Sequence, residues 1–157
     1  MEKKAFHPPE GWRFEIFEVI PGLYLSKRLV EPHDFASLEV DAIVALDDWR
    51  YTWSPPVPEN HLYVHFPIED AETVDPKTRH VAGLVAGLLQ DGHRVLVHCV
   101  QGLNRSGAVV ARALMFLGHG AAEAIELVRQ RRGLDEGFGA LGNERFVAWL
   151  MSEESTR

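Results

Sequence analysis

The sequence predicts an α/β domain with a central, mostly parallel sheet of about four or five strands flanked by helices. Short apolar runs of the kind found in buried strands alternate with segments in which apolar residues recur at helical spacing. The chain has 157 residues, of which 46% are hydrophobic and 25% are charged. This length and balance are typical of one globular domain with a single core.

The predicted strands are short and are separated by turn and loop signals. We expect strands at residues 14–19, 23–25, 42–46, 61–66 and 94–98. The first two flank a turn at Pro21-Gly22, and the run AIVAL at 42–46 is typical of a buried parallel strand.

The segment between the third and fourth predicted strands, residues 47–60, is expected to be a loop. It contains three prolines, which disfavour a helix or a central strand. It also contains Trp49, Tyr51 and Trp53, which either wall a pocket or fold onto the protein's own surface.

Five helices are predicted: a short one at 33–38, followed by 76–91, 106–117, 121–132 and one that begins near 143. In the helix at 76–91, Asp75 has N-cap chemistry, Pro76 suits the first position and Gly92 suits the stop. Its apolar stripe is formed by Val81, Leu84, Val85 and Leu88.

The three later helices differ in how much of their surface is apolar. Residues 106–117 are apolar on nearly every face, which predicts a buried helix. The inward residues of the other two are expected to be Ala121, Ala124, Ile125 and Val128, and then Phe146, Val147 and Leu150. Three arginines, Arg129, Arg131 and Arg132, should complement a helix C-terminus, unless one of them contacts a substrate anion.

We interpret residues 1–13 as a lead-in and 14–157 as one domain.

Composition and charge exclude several classes of protein. The net charge of −7 argues against a nucleic-acid partner, since neutralising phosphates requires a basic surface. No apolar run is long enough to span a bilayer, and the N-terminus lacks the apolar stretch of a signal peptide, so we predict a cytoplasmic protein.

The strongest chemical signal is the segment HCVQGLNRSG, residues 98–107, between a predicted strand and the predicted buried helix. Its Cys99 is the chain's one cysteine, so no intramolecular disulfide can form. A curled loop before a helix N-terminus aims backbone N–H groups at an anion, and Gly102 allows the necessary torsions. The expected phosphate-binding residues are Val100, Gln101, Gly102, Leu103, Asn104 and Arg105.

Each polar side chain of this loop has an expected role. Arg105 follows Cys99 by six residues and can grip two phosphate oxygens with its planar guanidinium. The positive surroundings favour the thiolate of Cys99, which can attack phosphorus and form a phosphocysteine. Ser106 can donate a hydrogen bond to that sulfur, and His98 is expected to fix the loop through ring hydrogen bonds.

The same segment resembles the signature loop of the protein tyrosine phosphatase superfamily, His-Cys-x5-Arg-Ser/Thr, in its small dual-specificity branch. This resemblance implies a cysteine-dependent phosphomonoesterase that acts on phosphorylated proteins or peptides without a metal or cofactor. It also implies an aspartate acid about 30 residues before the cysteine, and Asp70 in Phe66-Pro67-Ile68-Glu69-Asp70 lies 29 residues before Cys99. The other candidates for the acid are Glu69, Glu72 and Asp75.

Three other functions stay open beside this one. The run Gly-Leu-Asn-Arg, with Asn104, resembles the RNA 5′-phosphatase branch of the same superfamily, and a phosphoinositide is another conceivable substrate. A phosphate-binding module without turnover would normally lack the cysteine or the arginine. His61 and His65 share one face of a predicted strand, but no further ligand accompanies them, so no metal site is predicted.

Overall fold

Five strands and four helices are present in the computed structural model, which describes residues 16–28, 39–48, 57–69 and 73–156. The strands are β1 (Ile16–Ile20), β2 (Leu23–Ser26), β3 (Ala42–Ala45), β4 (Leu62–His65) and β5 (Val95–His98). The helices are α1 (Thr78–Gln90), α2 (Arg105–Phe116), α3 (Ala121–Arg132) and α4 (Glu144–Glu153), followed by a 3₁₀ turn at Glu154–Thr156.

The strands form one sheet in the order β1-β2-β5-β3-β4. β1 pairs with β2 in antiparallel fashion, whereas β2, β5, β3 and β4 are parallel neighbours. In the parallel register, His98 at the end of β5 lies opposite both Ser26 of β2 and Ala45 of β3. The predicted mostly parallel α/β fold is therefore confirmed, and the carboxyl ends of these strands meet at one edge.

The buried helix predicted after the cysteine is α2. Every residue from 106 to 115 is buried, as expected for a helix that packs against both the sheet and other helices. Its first turn approaches a neighbour closely at Gly107, where an added Cβ would lie 3.2 Å from Leu141 Cγ. The predicted inward residues of α3 are also buried, as are Phe146 and Leu150 of α4, whereas Val147 is half-buried.

The predicted apolar stripe of α1 is partly wrong. Leu84 is 39% exposed, and Val81 and Leu88 are only half-buried. The buried face is instead formed by Thr78, Ala82, Val85, Ala86 and Leu89. Small alanines let α1 approach the core closely, so the larger side chains on either side of this face lie at its rim.

The start of α1 also differs from the prediction, because the helix begins at Thr78 rather than at Pro76. Asp75 still satisfies backbone donors: its Oδ1 accepts from Lys77 N at 2.8 Å and its carbonyl accepts from Thr78 N at 2.9 Å. It therefore stabilises a turn that precedes the helix. The helix expected to begin near 143 is α4, and Asn143 caps it, since its side chain accepts from Arg145 N at 3.0 Å.

Some predictions fall outside the described residues. These are the lead-in at 1–13, the start of the first strand, the helix at 33–38, the aromatic part of the loop at 47–60, and both Asp70 and Glu72. Among the helices that the structure describes, none has the length and apolar character to cross a membrane.

The burial of α2 predicts a large cost for shortening one of its side chains. Leu114 is fully buried (0% exposed), so Leu114→Ala should lower the free energy of unfolding by about 2–5 kcal/mol through lost burial and a residual cavity. Leu134 is 76% exposed, and Leu134→Ala is the matched control, expected to change it by less than about 0.5 kcal/mol. Urea unfolding of both variants measures the difference, and equal losses would contradict the assignment of α2 to the core.

Candidate active site

The candidate site lies where the parallel strands end. β5 leads directly into Cys99, the loop curls through residues 100–104, and α2 begins at Arg105. This strand–loop–helix order places the N-terminus of α2 beside the loop. Such a helix end favours an anion, because its first N–H groups have no partner within the helix.

The sulfur of Cys99 lies at the base of the loop and is almost fully buried. Ser106 Oγ lies 3.2 Å from the Sγ atom, and the backbone N–H of Gly102 donates to the sulfur at 3.2 Å. Two hydrogen-bonding groups thus meet at the sulfur. When the sulfur is a thiolate, both can donate to it, which stabilises its negative charge.

Gly102 could not be replaced by a residue with a side chain. Its φ angle is +68°, in the left-handed region that favours glycine, and an added Cβ would lie 2.7 Å from the carbonyl oxygen of Ser26. The loop therefore packs directly against the end of β2. This contact fixes the peptide whose N–H points at the sulfur.

A cavity of about 180 Å³ opens in front of the sulfur. Among the residues that the structure describes, those that line the cavity are Cys99, Val100, Gln101, Leu103, Asn104 and Arg105. The structure thus brings together every phosphate-binding residue expected from the sequence, with Gly102 contributing its backbone N–H. The guanidinium of Arg105 is half-exposed, and its Nη1 donates to the carbonyl of Ile68 at 3.5 Å.

Arg132, at the end of α3, has a role in this site that the sequence analysis did not assign. Its Nε donates to the carbonyl of Gly102 at 2.9 Å and its Nη2 to the carbonyl of Gln101 at 3.1 Å. The carbonyl of Gln101 and the N–H of Gly102 belong to one peptide group and point in opposite directions. By holding the carbonyl behind the loop, Arg132 keeps that N–H directed at Cys99.

Arg132 itself contacts two further side chains, Asp135 and Phe17. Only 1% of its side chain is exposed, and its Nη2 lies 3.4 Å from Asp135 Oδ2. Lys27 Nζ lies 2.9 Å from the same oxygen, and this contact with Lys27 holds the pKa of Asp135 below its usual value. The guanidinium also lies 4.4 Å from the ring centre of Phe17, a cation–π geometry. The one signal in the sequence for Arg132 was the group of three arginines at one helix end. That group did not indicate which of the three turns inward.

The other two arginines have different environments. Arg129 donates to the carbonyls of Ala140 and Leu141 at 3.2 and 2.9 Å, so it stabilises the segment before α4. Arg131 is exposed. The expectation that all three serve the helix C-terminus is therefore incomplete, because Arg132 bonds the carbonyls of the loop after β5.

Asn104 connects the loop to α4. Its Oδ1 accepts a hydrogen bond from the backbone N of Asn143 at 3.0 Å. Asn143 is the N-cap of α4. Asn104 therefore attaches the loop to the residue that caps this helix. The side-chain oxygen of Asn104 thus has a structural use within the protein.

The candidates for the acid are distributed over the segment after β4. Asp70 and Glu72 lie outside the described residues, Glu69 is exposed, and Asp75 holds the turn before α1. A second cavity of about 380 Å³ is lined in part by Ile68, Glu69 and Asp75. Since Arg105 bonds the carbonyl of Ile68, the described start of this segment lies beside the first residue of α2.

His61 and His65 contact different backbone carbonyls. His61 Nδ1 lies 3.0 Å from the carbonyl oxygen of Glu59, and His65 Nε2 lies 2.8 Å from that of Asp47. Within the described part of the chain, no three histidine, cysteine or carboxylate side chains are grouped so that they could hold a metal.

Comparison with known proteins assigns the family. Residues 23–156 match the family described as dual specificity phosphatase, catalytic domain. Dual specificity protein phosphatase 1B of Arabidopsis thaliana is 28% identical over 145 residues, which cover 90% of this chain and 83% of that protein. The chain therefore belongs to the dual specificity phosphatases, a branch of the protein tyrosine phosphatase superfamily, and is a cysteine-dependent protein phosphatase.

Solved structures show the same fold at lower identity. A mouse putative dual specificity phosphatase, crystallised with zinc tungstate, is 23% identical with a TM-score of 0.72, covering 99% of this chain and 92% of its own. Human DUSP28 is 22% identical with a TM-score of 0.71, covering 90% and 93%. The human tyrosine phosphatase-like serine/threonine/tyrosine-interacting protein has a TM-score of 0.72 at 22% identity, covering 90% and 96%.

The bonds of Arg132 predict a specific defect in anion binding. In Arg132→Met, the loop carbonyls lose a charged donor, so we expect tungstate to bind at least about tenfold more weakly, equivalent to about 1.4 kcal/mol. Competitive inhibition of p-nitrophenyl phosphate hydrolysis measures this affinity. Arg131→Met should leave it unchanged, and Arg129→Met should lower the melting temperature without weakening tungstate. Equal tungstate affinity in Arg132→Met and wild type would refute the role.

Proposed function

We propose that the protein hydrolyses phosphomonoesters of phosphorylated proteins through a phosphocysteine on Cys99. The observation that carries this proposal is the sulfur at the base of the loop cavity, with the Gly102 N–H and Ser106 Oγ each 3.2 Å away. An anion in that cavity would place its phosphorus in front of the sulfur. Inward N–H groups and the guanidinium of Arg105 would surround its oxygens.

In the first step, the thiolate of Cys99 attacks phosphorus in line with the leaving oxygen. The sulfur–phosphorus bond forms as the phosphorus–oxygen bond of the ester breaks, and the leaving oxygen takes a proton from an acid. Arg105 and the loop N–H groups stabilise the equatorial oxygens, which carry the negative charge in the transition state.

In the second step, water attacks the phosphocysteine and the sulfur leaves as a thiolate. The base that takes a proton from the water is the group that acted as acid in the first step. The Ser106 hydroxyl, within hydrogen-bond distance of the sulfur, stabilises the thiolate as it departs. Inorganic phosphate is the product and the free enzyme is regenerated.

Asp70 is our candidate for the acid and base. Two residues before Asp70, the carbonyl of Ile68 accepts a bond from Arg105. The chain just before Asp70 therefore contacts the arginine that we propose binds the phosphate. Asp75 is a weaker candidate, since its carboxylate is engaged by the backbone N of Lys77 and by Lys77 Nζ at 3.6 Å.

The proposed substrates are phosphotyrosine and phosphoserine or phosphothreonine in proteins. The RNA 5′-phosphatase alternative depended on Asn104, whose side-chain oxygen is bonded to Asn143, and the net charge of −7 disfavours a polyanionic partner. Parallel activity assays with phosphopeptides, triphosphate RNA and inositol lipids distinguish a phosphoprotein substrate from a phosphoinositide or RNA substrate. The cytoplasmic location stays a prediction from the sequence.

The covalent mechanism predicts complete dependence on the sulfur. Cys99→Ser should abolish hydrolysis of p-nitrophenyl phosphate, because a hydroxyl at this position is a far weaker nucleophile than a thiolate. The variant should still bind tungstate, since the loop N–H groups and Arg105 remain. Full inactivity of folded wild-type protein would refute the phosphatase mechanism, and substantial activity of Cys99→Ser would place the nucleophile elsewhere.

The role proposed for Asp70 predicts an effect that depends on the leaving group. Asp70→Asn should lower kcat about 10²- to 10⁴-fold for phenyl phosphate, whose leaving oxygen needs a proton. The same substitution should lower kcat much less for p-nitrophenyl phosphate, and it should leave tungstate affinity unchanged. Asp75→Asn is the control, expected to keep wild-type kcat for both esters. If Asp75→Asn shows the leaving-group effect instead, the acid is Asp75.

A further inference from the structure

The second cavity, of about 380 Å³, has no part in the mechanism above. Its volume lies in the range of about 300–1,000 Å³ that is usual for ligand sites. Ile68 lines this cavity, and its carbonyl accepts the bond from Arg105, which lines the catalytic cavity. The two cavities therefore lie side by side, so a side chain close to a phosphate bound at the loop can reach the second one.

Apolar side chains from separate elements contribute to the wall of the second cavity. Residues of the segments 67–69 and 73–78 line it, together with Phe146 of α4. Ile68 and Phe146 are buried, and Val74 is half-buried. These side chains suit the apolar, unbranched stem of a ligand.

The charged groups of the second cavity are acidic. Among the described residues that line it, Glu69 and Asp75 are the charged ones, and both are exposed. Residues 67–76 carry four carboxylates and no basic side chain. Asp75 Oδ2 lies 3.6 Å from Lys77 Nζ, but 70% of the Lys77 side chain is exposed, so water screens this pair. The cavity therefore favours a ligand with a positive charge.

Arg79, the residue directly after Thr78, does not supply that charge. Its Nε and Nη2 donate to the two carboxylate oxygens of Glu153 at 2.9 and 2.7 Å. Only 4% of the Glu153 side chain is exposed, and a carboxylate buried in this way needs a cation. The charge of Arg79 is therefore compensated by Glu153 rather than by the carboxylates of the cavity.

A buried hydroxyl at the turn before α1 lacks a partner. Thr78 lines the cavity and is 0% exposed, and its Oγ1 has no hydrogen-bond partner within the described structure. Its backbone N bonds the carbonyl of Asp75 at 2.9 Å, so this hydroxyl and the Asp75 carboxylate belong to one turn. A buried hydroxyl without a partner costs free energy. An N–H donor in the cavity would remove this cost.

We propose that the second cavity is a substrate subsite for an arginine side chain close to the phosphoresidue. The stem of this arginine packs against Ile68 and Phe146. Its guanidinium donates to the Asp75 carboxylate and to Thr78 Oγ1, and the exposed Glu69 adds electrostatic attraction. This inference rests on the proposed function and narrows it. The preferred substrates are phosphoproteins with an arginine within about three residues of the phosphoresidue, roughly 10 Å of extended chain.

The test compares phosphotyrosine peptides that differ at one position. Each peptide carries either arginine or norleucine, whose side chain is unbranched and uncharged, at one of the three positions on either side of the phosphotyrosine. At the best position, kcat/KM should be about three- to tenfold higher for arginine than for norleucine. This ratio should fall toward one in about 0.5 M salt, which screens exposed charges. A ratio close to one at every position in low salt would overturn the inference.

Substitutions in the cavity identify the groups that bind the arginine. Asp75→Asn should bring the ratio close to one, and Thr78→Val should lower it about two- to threefold without lowering the melting temperature. Aryl phosphates carry no arginine, so the subsite does not affect their turnover. Asp91→Asn removes the same charge from an exposed residue at the opposite end of α1, and it should leave the ratio unchanged. An unchanged ratio in either cavity variant, or an equal fall in Asp91→Asn, would contradict the subsite.

Binding measurements separate this inference from the proposed function. Cys99→Ser lacks the nucleophile but keeps Arg105, so the fluorescence anisotropy of labelled peptides measures affinity without turnover. The arginine peptide should bind this variant about three- to tenfold more tightly than the norleucine peptide. Equal affinities, with both peptides hydrolysed by the wild-type protein, would remove only the subsite. Preference for the arginine peptide without any hydrolysis would remove only the phosphatase mechanism.

Discussion

The proposed site depends on one constraint, which is that the peptide N–H of Gly102 points inward, at the sulfur of Cys99. A peptide group is rigid, so directing its N–H inward forces its carbonyl outward, where a buried carbonyl needs a donor. Arg132 meets this need for Gln101 and Gly102. The positive φ of Gly102 and its contact with Ser26 leave no space for a side chain. The loop is thus held from behind before any phosphate binds.

The surrounding fold supplies the supports of the loop from separate parts of the chain. The end of β2 packs against Gly102. Asp135, which also contacts Lys27, holds Arg132, and the backbone N of Asn143 bonds Asn104. Because the supports come from β2, from the end of α3 and from the start of α4, the loop is fixed on several sides. Donors fixed in advance stabilise developing charge without having to reorganise during the reaction.

Charge in this site is arranged in two layers. Arg105 lines the cavity, and two buried contacts lie behind the loop, His98 with Asp47 and Arg132 with Asp135. The carboxylate of Asp135 compensates the burial of the Arg132 guanidinium. The proposed anion site therefore depends on these local groups and not on the net charge of the whole protein, which is −7.

The sequence alone determined what depends on local spacing: the alternation of elements, the buried helix α2 and the loop from His98 to Gly107. The periods of strands and helices, and the six-residue interval from Cys99 to Arg105, can be read along the chain. Only the tertiary structure decided which arginine of α3 turns inward, and that Asp47 lies against His98, 51 positions away along the chain. The spacing of apolar residues also did not predict the buried face of α1, which includes Ala82 and Ala86. These outcomes depend on packing between segments that are distant in the chain. The spacing of residues within one segment does not determine that packing.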